Sequence, residues 1–96
     1  MKEDELIPTI EFCEIYQIEL SFINSLAEYG LVEISTIQQK KFIHRDAIED
    51  LEKFIRLHYD LDINMEGIDA IRHILQRMKD MQEELIALRS RLRLQE

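Results

Sequence analysis

Residues 9–30, TIEFCEIYQIELSFINSLAEYG, are the stretch that decides the fold. Pro8-Thr9 indicates a helix start with Thr9 as the N-cap, and the chain is expected to turn near 17–19 before a second helix over about 20–29. Gly30 follows where a left-handed helix cap is favoured. Two short helices joined by such a turn predict a helix-turn-helix. The apolar residues of the first helix are Ile10, Phe12, Cys13 and Tyr16, and the expected inner face of the second helix is Ile23, Leu26 and Ala27.

Residues 31–44, LVEISTIQQKKFIH, predict a β-hairpin, or wing. Strand-forming residues flank a polar tip at 38–41, which is typical of two short paired strands. The strand formers are Val32, Ile34, Thr36, Ile37, Phe42 and Ile43. Asp46 and Glu49 then have the spacing of a capping box and predict a third helix that ends near Tyr59. Its expected inner face is Ile48, Leu51, Ile55 and either His58 or Tyr59.

The last third of the chain predicts one long helix. Residues 60–63 interrupt the helical pattern, Asn64 is a favourable N-cap, and Glu66 suits the positive end of a helix. From 65 to about 94 only Gly67, a tolerable residue, weakens the pattern, and the helix would be about 45 Å long. The sequence therefore predicts a mainly α winged helix-turn-helix body at 1–63 and a long C-terminal helix at 64–96.

This helix carries an apolar seam with coiled-coil spacing. The seam residues alternate steps of three and four, which is the a/d pattern of a coiled coil, and Ile68 and Leu75 widen the stripe in the first half. We expect the seam to join two chains in a homodimer, although the helix could instead fold back on its own chain. Arg77 facing Glu84 would suit antiparallel helices and Glu84 facing Arg89 parallel ones, so the orientation stays open. The seam is Ile71, Ile74, Met78, Met81, Leu85, Leu88 and Leu92.

Composition narrows the class of protein. The 96 residues are 46% hydrophobic and carry a net charge of −8. Residues 1–66 have a balance of −9 and residues 67–96 one of +1, which argues against a surface that binds phosphates along nucleic acid. One cysteine, Cys13, excludes an internal disulfide and fits a reducing compartment. No signal peptide or membrane helix is evident, so the expected location is the cytosol.

No catalytic or cofactor site can be assigned. The chain lacks a Gly-rich phosphate loop, a nucleophile elbow and paired catalytic acids, and Cys13 lies among apolar residues as a core side chain would. His44, His58 and His73 lack the spacing of zinc ligands. We therefore expect a protein that is not an enzyme and needs neither a metal nor another cofactor.

The order of elements resembles the MerR-type winged helix fold, and shorter motifs resemble the CbpM type of the chaperone-modulator family. These motifs are Thr9-Ile10-Glu11-Phe12-Cys13, Ile18-Glu19, Gly30-Leu31-Val32-Glu33, and Leu57-His58-Tyr59-Asp60-Leu61-Asp62-Ile63 followed by Gly67-Ile68. The resemblance covers nearly the whole chain. Beyond the motifs the sequence is acidic and rich in Gln and Glu, and no contact residue is carried over from the family.

The resemblance implies a specific function. Chaperone modulators of this type bind the J-domain of a DnaJ-like co-chaperone, the CbpA type, and block its stimulation of the DnaK ATPase. They also interfere with the co-chaperone's own binding to DNA. A MerR-like DNA-binding transcriptional regulator is the alternative function, and a bare dimerisation module is a third.

The residues of the second helix themselves favour a protein partner over DNA. A recognition helix normally carries Arg or Lys for phosphates, but residues 20–27 are uncharged and are flanked by Glu19 and Glu28. The polar groups that could contact a base edge there are Ser21, Asn24 and Ser25, and the basic cluster of the body is Lys40, Lys41 and Arg45. Direct DNA binding is therefore not expected.

The predicted partner-binding site lies on the same helix and on helix three. Glu19, Glu28, Glu49 and Asp50 could form an anionic face, with Asn24 on the second helix as a polar contact. Phe22 and Tyr29 are expected to add apolar area beside these acids. A J-domain helix that engages DnaK is typically basic, so attraction would be complementary and sensitive to salt.

Overall fold

The structure, a computed structural model, describes residues 5–95. Strand β1 (Leu6–Pro8) leads into α1 (Thr9–Tyr16) and α2 (Leu20–Glu28), which form the helix-turn-helix. The wing consists of β2 (Ile34–Ile37) and β3 (Lys40–His44), and a 3-10 turn (Arg45–Ala47) leads to α3 (Ile48–Ile55). A π turn (Arg56–Asp60) extends that helix, and α4 (Met65–Gln95) completes the chain. The predicted mainly α winged helix-turn-helix with a long C-terminal helix is confirmed.

The ends of α1 and α2 have left-handed caps. Gln17 ends α1 with φ 56°, and Gly30 follows α2 with φ 74°. The Gly30 and Leu31 amides donate to the carbonyls of Ala27 and Leu26 at 3.0 and 2.8 Å, which is the Schellman arrangement. The predicted helix start at Thr9 is wrong by one position, because Pro8 is the N-cap and the buried Thr9 already belongs to α1.

The wing belongs to a three-stranded antiparallel sheet with the order β1-β3-β2. Its β2–β3 turn is tighter than predicted, since Ile37 pairs with Lys40 and only Gln38 and Gln39 form the tip. Both have positive φ, 51° and 69°, as a two-residue turn of matching twist requires. The strand β1, which the sequence did not indicate, pairs Ile7 with Ile43 and ties the chain's beginning to the wing.

The start of α3 also differs from the prediction. Asp46 lies in the 3-10 turn, α3 begins at Ile48, and no side chain caps it, so the capping box does not form. The predicted Asn64 cap is confirmed, because the Gly67 amide donates to Asn64 Oδ1 at 2.8 Å.

The core is formed where all these elements meet. Ile43 of β3 and Ile68 of α4 are fully buried with residues of the three body helices, so the first turn of α4 contributes to the core of the body. Ile10 of α1 is 63% exposed, whereas Phe54 of α3, which the sequence pattern missed, is buried. The fully buried large side chains are Phe12, Ile23, Leu26, Ile43, Leu51 and Ile68.

Beyond the body, α4 extends as a free helix. It has 31 residues, or about 46 Å at 1.5 Å per residue. The seam side chains beyond Ile71 are exposed, with Met81 at 62% and Leu85 at 48%. The exposed part of the seam therefore does not pack against the described body, residues 5–63. The alternative that the seam folds back on its own chain is wrong.

Candidate protein-binding site

The exposed face of α2 is built from a polar stripe. Ser21, Asn24 and Glu28 are exposed, and their spacing of three and four places them on one side of the helix. Glu19, the N-cap residue, lies at the end of the stripe and accepts a hydrogen bond from Ser21 Oγ at 3.3 Å. These four residues, called the α2 face below, contain two carboxylates and no cation.

Phe22 does not belong to this surface. The sequence placed it beside the acids as exposed apolar area, but it is only 4% exposed. Its ring stacks on His58 at 4.8 Å and meets the edge of Tyr59 at 5.3 Å. The π turn therefore covers Phe22, and the expected exposure of Phe22 is wrong.

Tyr59 occupies the position that the sequence assigned to Phe22. It is 44% exposed and contacts Phe22 at the beginning of α2. The backbone N–H of Glu19 donates to its hydroxyl at 3.2 Å. An exposed aromatic ring beside a carboxylate offers apolar area and hydrogen bonding to a partner, and sequence reasoning identified Tyr59 only as a possible core residue.

At the other end of α2, Tyr29 lies among carboxylates. Its hydroxyl donates to Glu66 Oε2 at 2.9 Å. This hydrogen bond raises the pKa of Tyr29, as do burial and the charges of Glu66, Asp69 and Glu28. The pKa of Glu66 is lowered, first by a backbone N–H and then by Tyr29. Tyr29, exposed as predicted, is thus the centre of an acidic patch formed by Glu28, Glu66 and Asp69.

The two acids predicted on α3, Glu49 and Asp50, lie apart from this acidic patch. Glu49 is exposed in the first turn of α3. Asp50 lines a groove between α3 and α4 together with Lys53, Arg72 and Lys79, so cations surround it. The structure therefore leaves Glu19, Asn24 and Glu28 exposed along α2, whereas Asp50 belongs to a different surface.

Chain separation explains why Glu66 and Asp69 were missed. Tyr29 and Glu66 are 37 residues apart, and no periodicity links positions so distant. The favourable place of Glu66 in the first turn of α4 was the available signal, and it indicated only helix stability.

The described residues supply no group of three or more His, Cys, Asp or Glu side chains that could hold a metal ion. The three histidines have structural contacts: His58 Nδ1 lies 2.9 Å from the Ile63 carbonyl, His73 Nδ1 2.8 Å from the Asp69 carbonyl, and His44 Nε2 3.1 Å from Ser35 Oγ. Cys13 is buried, and burial raises its pKa, which suits a core residue. Within residues 5–95, no helix is long and apolar enough to cross a membrane.

Comparison with protein families agrees with this architecture. The family model described as MerR HTH family regulatory protein matches residues 7–90, which is most of the chain. The chain therefore belongs to the MerR helix-turn-helix family. No curated protein and no solved structure matches it significantly.

Proposed function

We propose that this chain is a non-catalytic modulator that binds the J-domain of a DnaJ/CbpA-like co-chaperone and inhibits its stimulation of DnaK. The observation that carries the proposal is the absence of any cation from the α2 face, where a DNA-binding family member needs one. Glu19 and Glu28 stand there instead, and Glu66 and Asp69 continue the negative charge onto α4. The resemblance to chaperone modulators supplies the identity of the partner.

The chemistry of the surface supports a basic protein partner. Carboxylates on an exposed rim contribute mainly to the association rate and to the choice of partner. The half-exposed ring of Tyr59 adds the kind of aromatic area on which partners often depend for binding energy. The site residues of this proposal are Glu19, Asn24, Glu28, Tyr29 and Tyr59, with Glu49 as an outlying acid. The proposed setting is the cytosol, where the chain would act without a cofactor.

The test measures binding of an isolated J-domain and DnaK ATPase activity in the presence of that J-domain. We expect saturable inhibition, and binding that weakens as added salt shortens the Debye length below about 10 Å. Glu28→Lys should weaken binding about tenfold, because it places a cation opposite a basic helix. Glu83→Lys makes the same change on the outward side of α4 and should have no effect. Full stimulation of DnaK at saturating modulator would refute the proposal.

A DNA-binding regulator is the second candidate, and the wing favours it. Lys40 and Lys41 are exposed on β3, and Arg45 follows at the end of the strand. Wings of this kind can contact phosphates beside the groove that a recognition helix occupies. Selection from a random DNA pool at physiological salt distinguishes the two functions: a palindromic site bound at roughly nanomolar affinity would replace the co-chaperone proposal.

We also propose that the seam of α4 joins two copies of the chain. Its exposed residues follow one another along a single helix face, and in an isolated chain they would leave a row of Leu and Met in water. The side chains of Met78, Met81, Leu85 and Leu88 line one shallow apolar surface. A coiled-coil pairing would bury it without disturbing the body, because Met65 and Ile68, which pack in or against the core, lie in the first turn of α4.

A further inference from the structure

A second concave surface lies where α4 leaves the body. Two adjoining cavities of about 490 and 340 Å³ open between α3, the π turn and α4, and both are lined by Lys53, Leu57, Ile71 and Leu75. They form one continuous groove, called the α3–α4 groove below. Leu57, Ile71 and Leu75 form its apolar floor.

The rim of this groove is basic in a chain of net charge −8. Lys53 and Arg56 lie on the side of α3 and the π turn, and Arg72 and Lys79 on the side of α4. Asp50 and Asp60 are its acids. Among residues 5–95, none of the four cations forms an ion pair. The four cations outnumber the two acids, so the rim of the groove carries a net positive charge.

One of these four cations, Arg72, also has a hydrogen-bond donor that no described residue pairs with. Its Nε is buried and has no hydrogen-bond partner within the part of the chain that the structure describes. A buried donor that is removed from water and left unpaired is costly, and more so when it is charged. An acceptor from a bound molecule would satisfy this donor.

We propose that the α3–α4 groove binds an acidic amphipathic segment of a partner protein. Apolar side chains of that segment would cover Leu57, Ile71 and Leu75, and its carboxylates would reach Arg72, Lys53 and Lys79. The α4 wall from Ile71 to Lys79 is about 12 Å long at 1.5 Å per residue, which suits about two turns of a helix. A guanidinium beside an apolar floor suits a peptide that carries both carboxylates and apolar side chains. A nucleic acid would pair with the cations but would leave the apolar floor exposed.

This inference does not depend on the proposed function. The α2 face is acidic and would attract a basic partner, whereas the α3–α4 groove is basic and would attract an acidic one. The two surfaces therefore differ in the charge of the molecule they recognise, and each has its own variants.

The probe is a fluorescent synthetic amphipathic helix of 14 residues, ~4 turns, with Leu along one face and Glu on both sides of it. Matched peptides carry Gln or Lys in place of Glu. Fluorescence anisotropy should show the Glu peptide binding at least tenfold more tightly than the Gln peptide, with no binding of the Lys peptide. Methyl chemical shifts should change at Leu57 and Leu75 and not at Leu88.

Arg72→Gln should weaken binding of the Glu peptide about tenfold, since a carboxylate loses a partly buried charged partner. Arg77→Gln removes an equal charge from the same helix outside the groove and should leave binding unchanged. Equal losses in both variants, or equal affinities for the Glu and Gln peptides, would overturn the proposal. Sedimentation equilibrium tests the other occupant: if Arg72→Gln weakens self-association and the dimer excludes the peptide, a second copy covers the groove and the proposal is wrong.

Discussion

Gly67→Ala tests how α4 is attached to the body. By helix propensity alone the substitution would stabilise α4 by about 1 kcal/mol, which is why Gly67 looks merely tolerable in the sequence. The structure opposes this gain. A Cβ atom on Gly67 would lie 2.6 Å from Ile63 Cγ2 and 3.1 Å from Asn64 Oδ1.

Neither neighbour can move freely. Ile63 packs against the core, its amide donates to the Leu57 carbonyl at 3.0 Å, and its carbonyl lies 2.9 Å from His58 Nδ1. Overpacking of this kind costs about 1–3 kcal/mol. Displacing Asn64 would also weaken the cap, which is worth about 1 kcal/mol. The clash outweighs the propensity, and Gly67→Ala should lower the free energy of unfolding by about 2 kcal/mol.

Urea unfolding followed by circular dichroism at fixed protein concentration measures this change. Ala70→Gly is the matched control, because Ala70 is exposed on the same helix and its replacement reports the propensity term alone, a loss of about 1 kcal/mol. The reasoning fails if Gly67→Ala raises the free energy of unfolding by the amount that Ala70→Gly lowers it.

Two further outcomes are expected. Leu85→Asp places an unpaired carboxylate in the seam of each chain, at a cost of several kcal/mol. Light scattering and circular dichroism should show a monomer with a folded body, whereas the control Ile86→Asp, beside the seam, should leave the dimer intact. A wild-type chain that is monomeric at micromolar concentration would contradict this prediction. Tyr29→Phe removes a donor to Glu66, so the lowered pKa of Glu66 should rise toward its ordinary 4.5 in a carboxyl NMR titration, whereas Tyr16→Phe leaves it unchanged. Because that pKa is lowered in the folded state, ionised Glu66 stabilises the fold at a pH above its unfolded pKa, and this stabilisation is lost as the pH falls through the folded pKa. The acid-induced loss of stability should therefore be smaller in Tyr29→Phe than in the wild type. An unchanged Glu66 pKa would count against the hydrogen bond.

Local signals in the sequence determined most of the architecture. Gly30, Asn64 and the alternating strand formers of 31–44 each act over a few residues, and the structure confirms the cap, the helix start and the wing that they predict. The coiled-coil spacing of the seam was predictable as well, because it requires only one uninterrupted helix. Such features depend on backbone conformation and on the helical period, both of which are set by neighbouring residues.

The candidate site was only partly accessible in this way. The charge pattern of 19–28 predicts an acidic face on α2, and the structure leaves Glu19 and Glu28 exposed there. It could not show that Phe22 is covered, because α2 has apolar residues on more than one side, and packing of the π turn decides which of them meets solvent. The same packing brings Tyr59 to the Glu19 amide across 40 residues.

The tertiary structure alone decided the contacts between distant segments. Only folding pairs β1 with β3, places Glu66 at Tyr29, and encloses Arg72 and Lys53 around one groove. Hydropathy and spacing indicate which side chains of a segment can be buried. Which other segment buries them depends on the whole core, because bringing distant segments together costs loop-closure entropy that only the burial of apolar area in the assembled core offsets. The sequence by itself therefore determined the helices, the wing and the acidic character of α2, and the assembled fold determined the strand β1 and which charges share a surface.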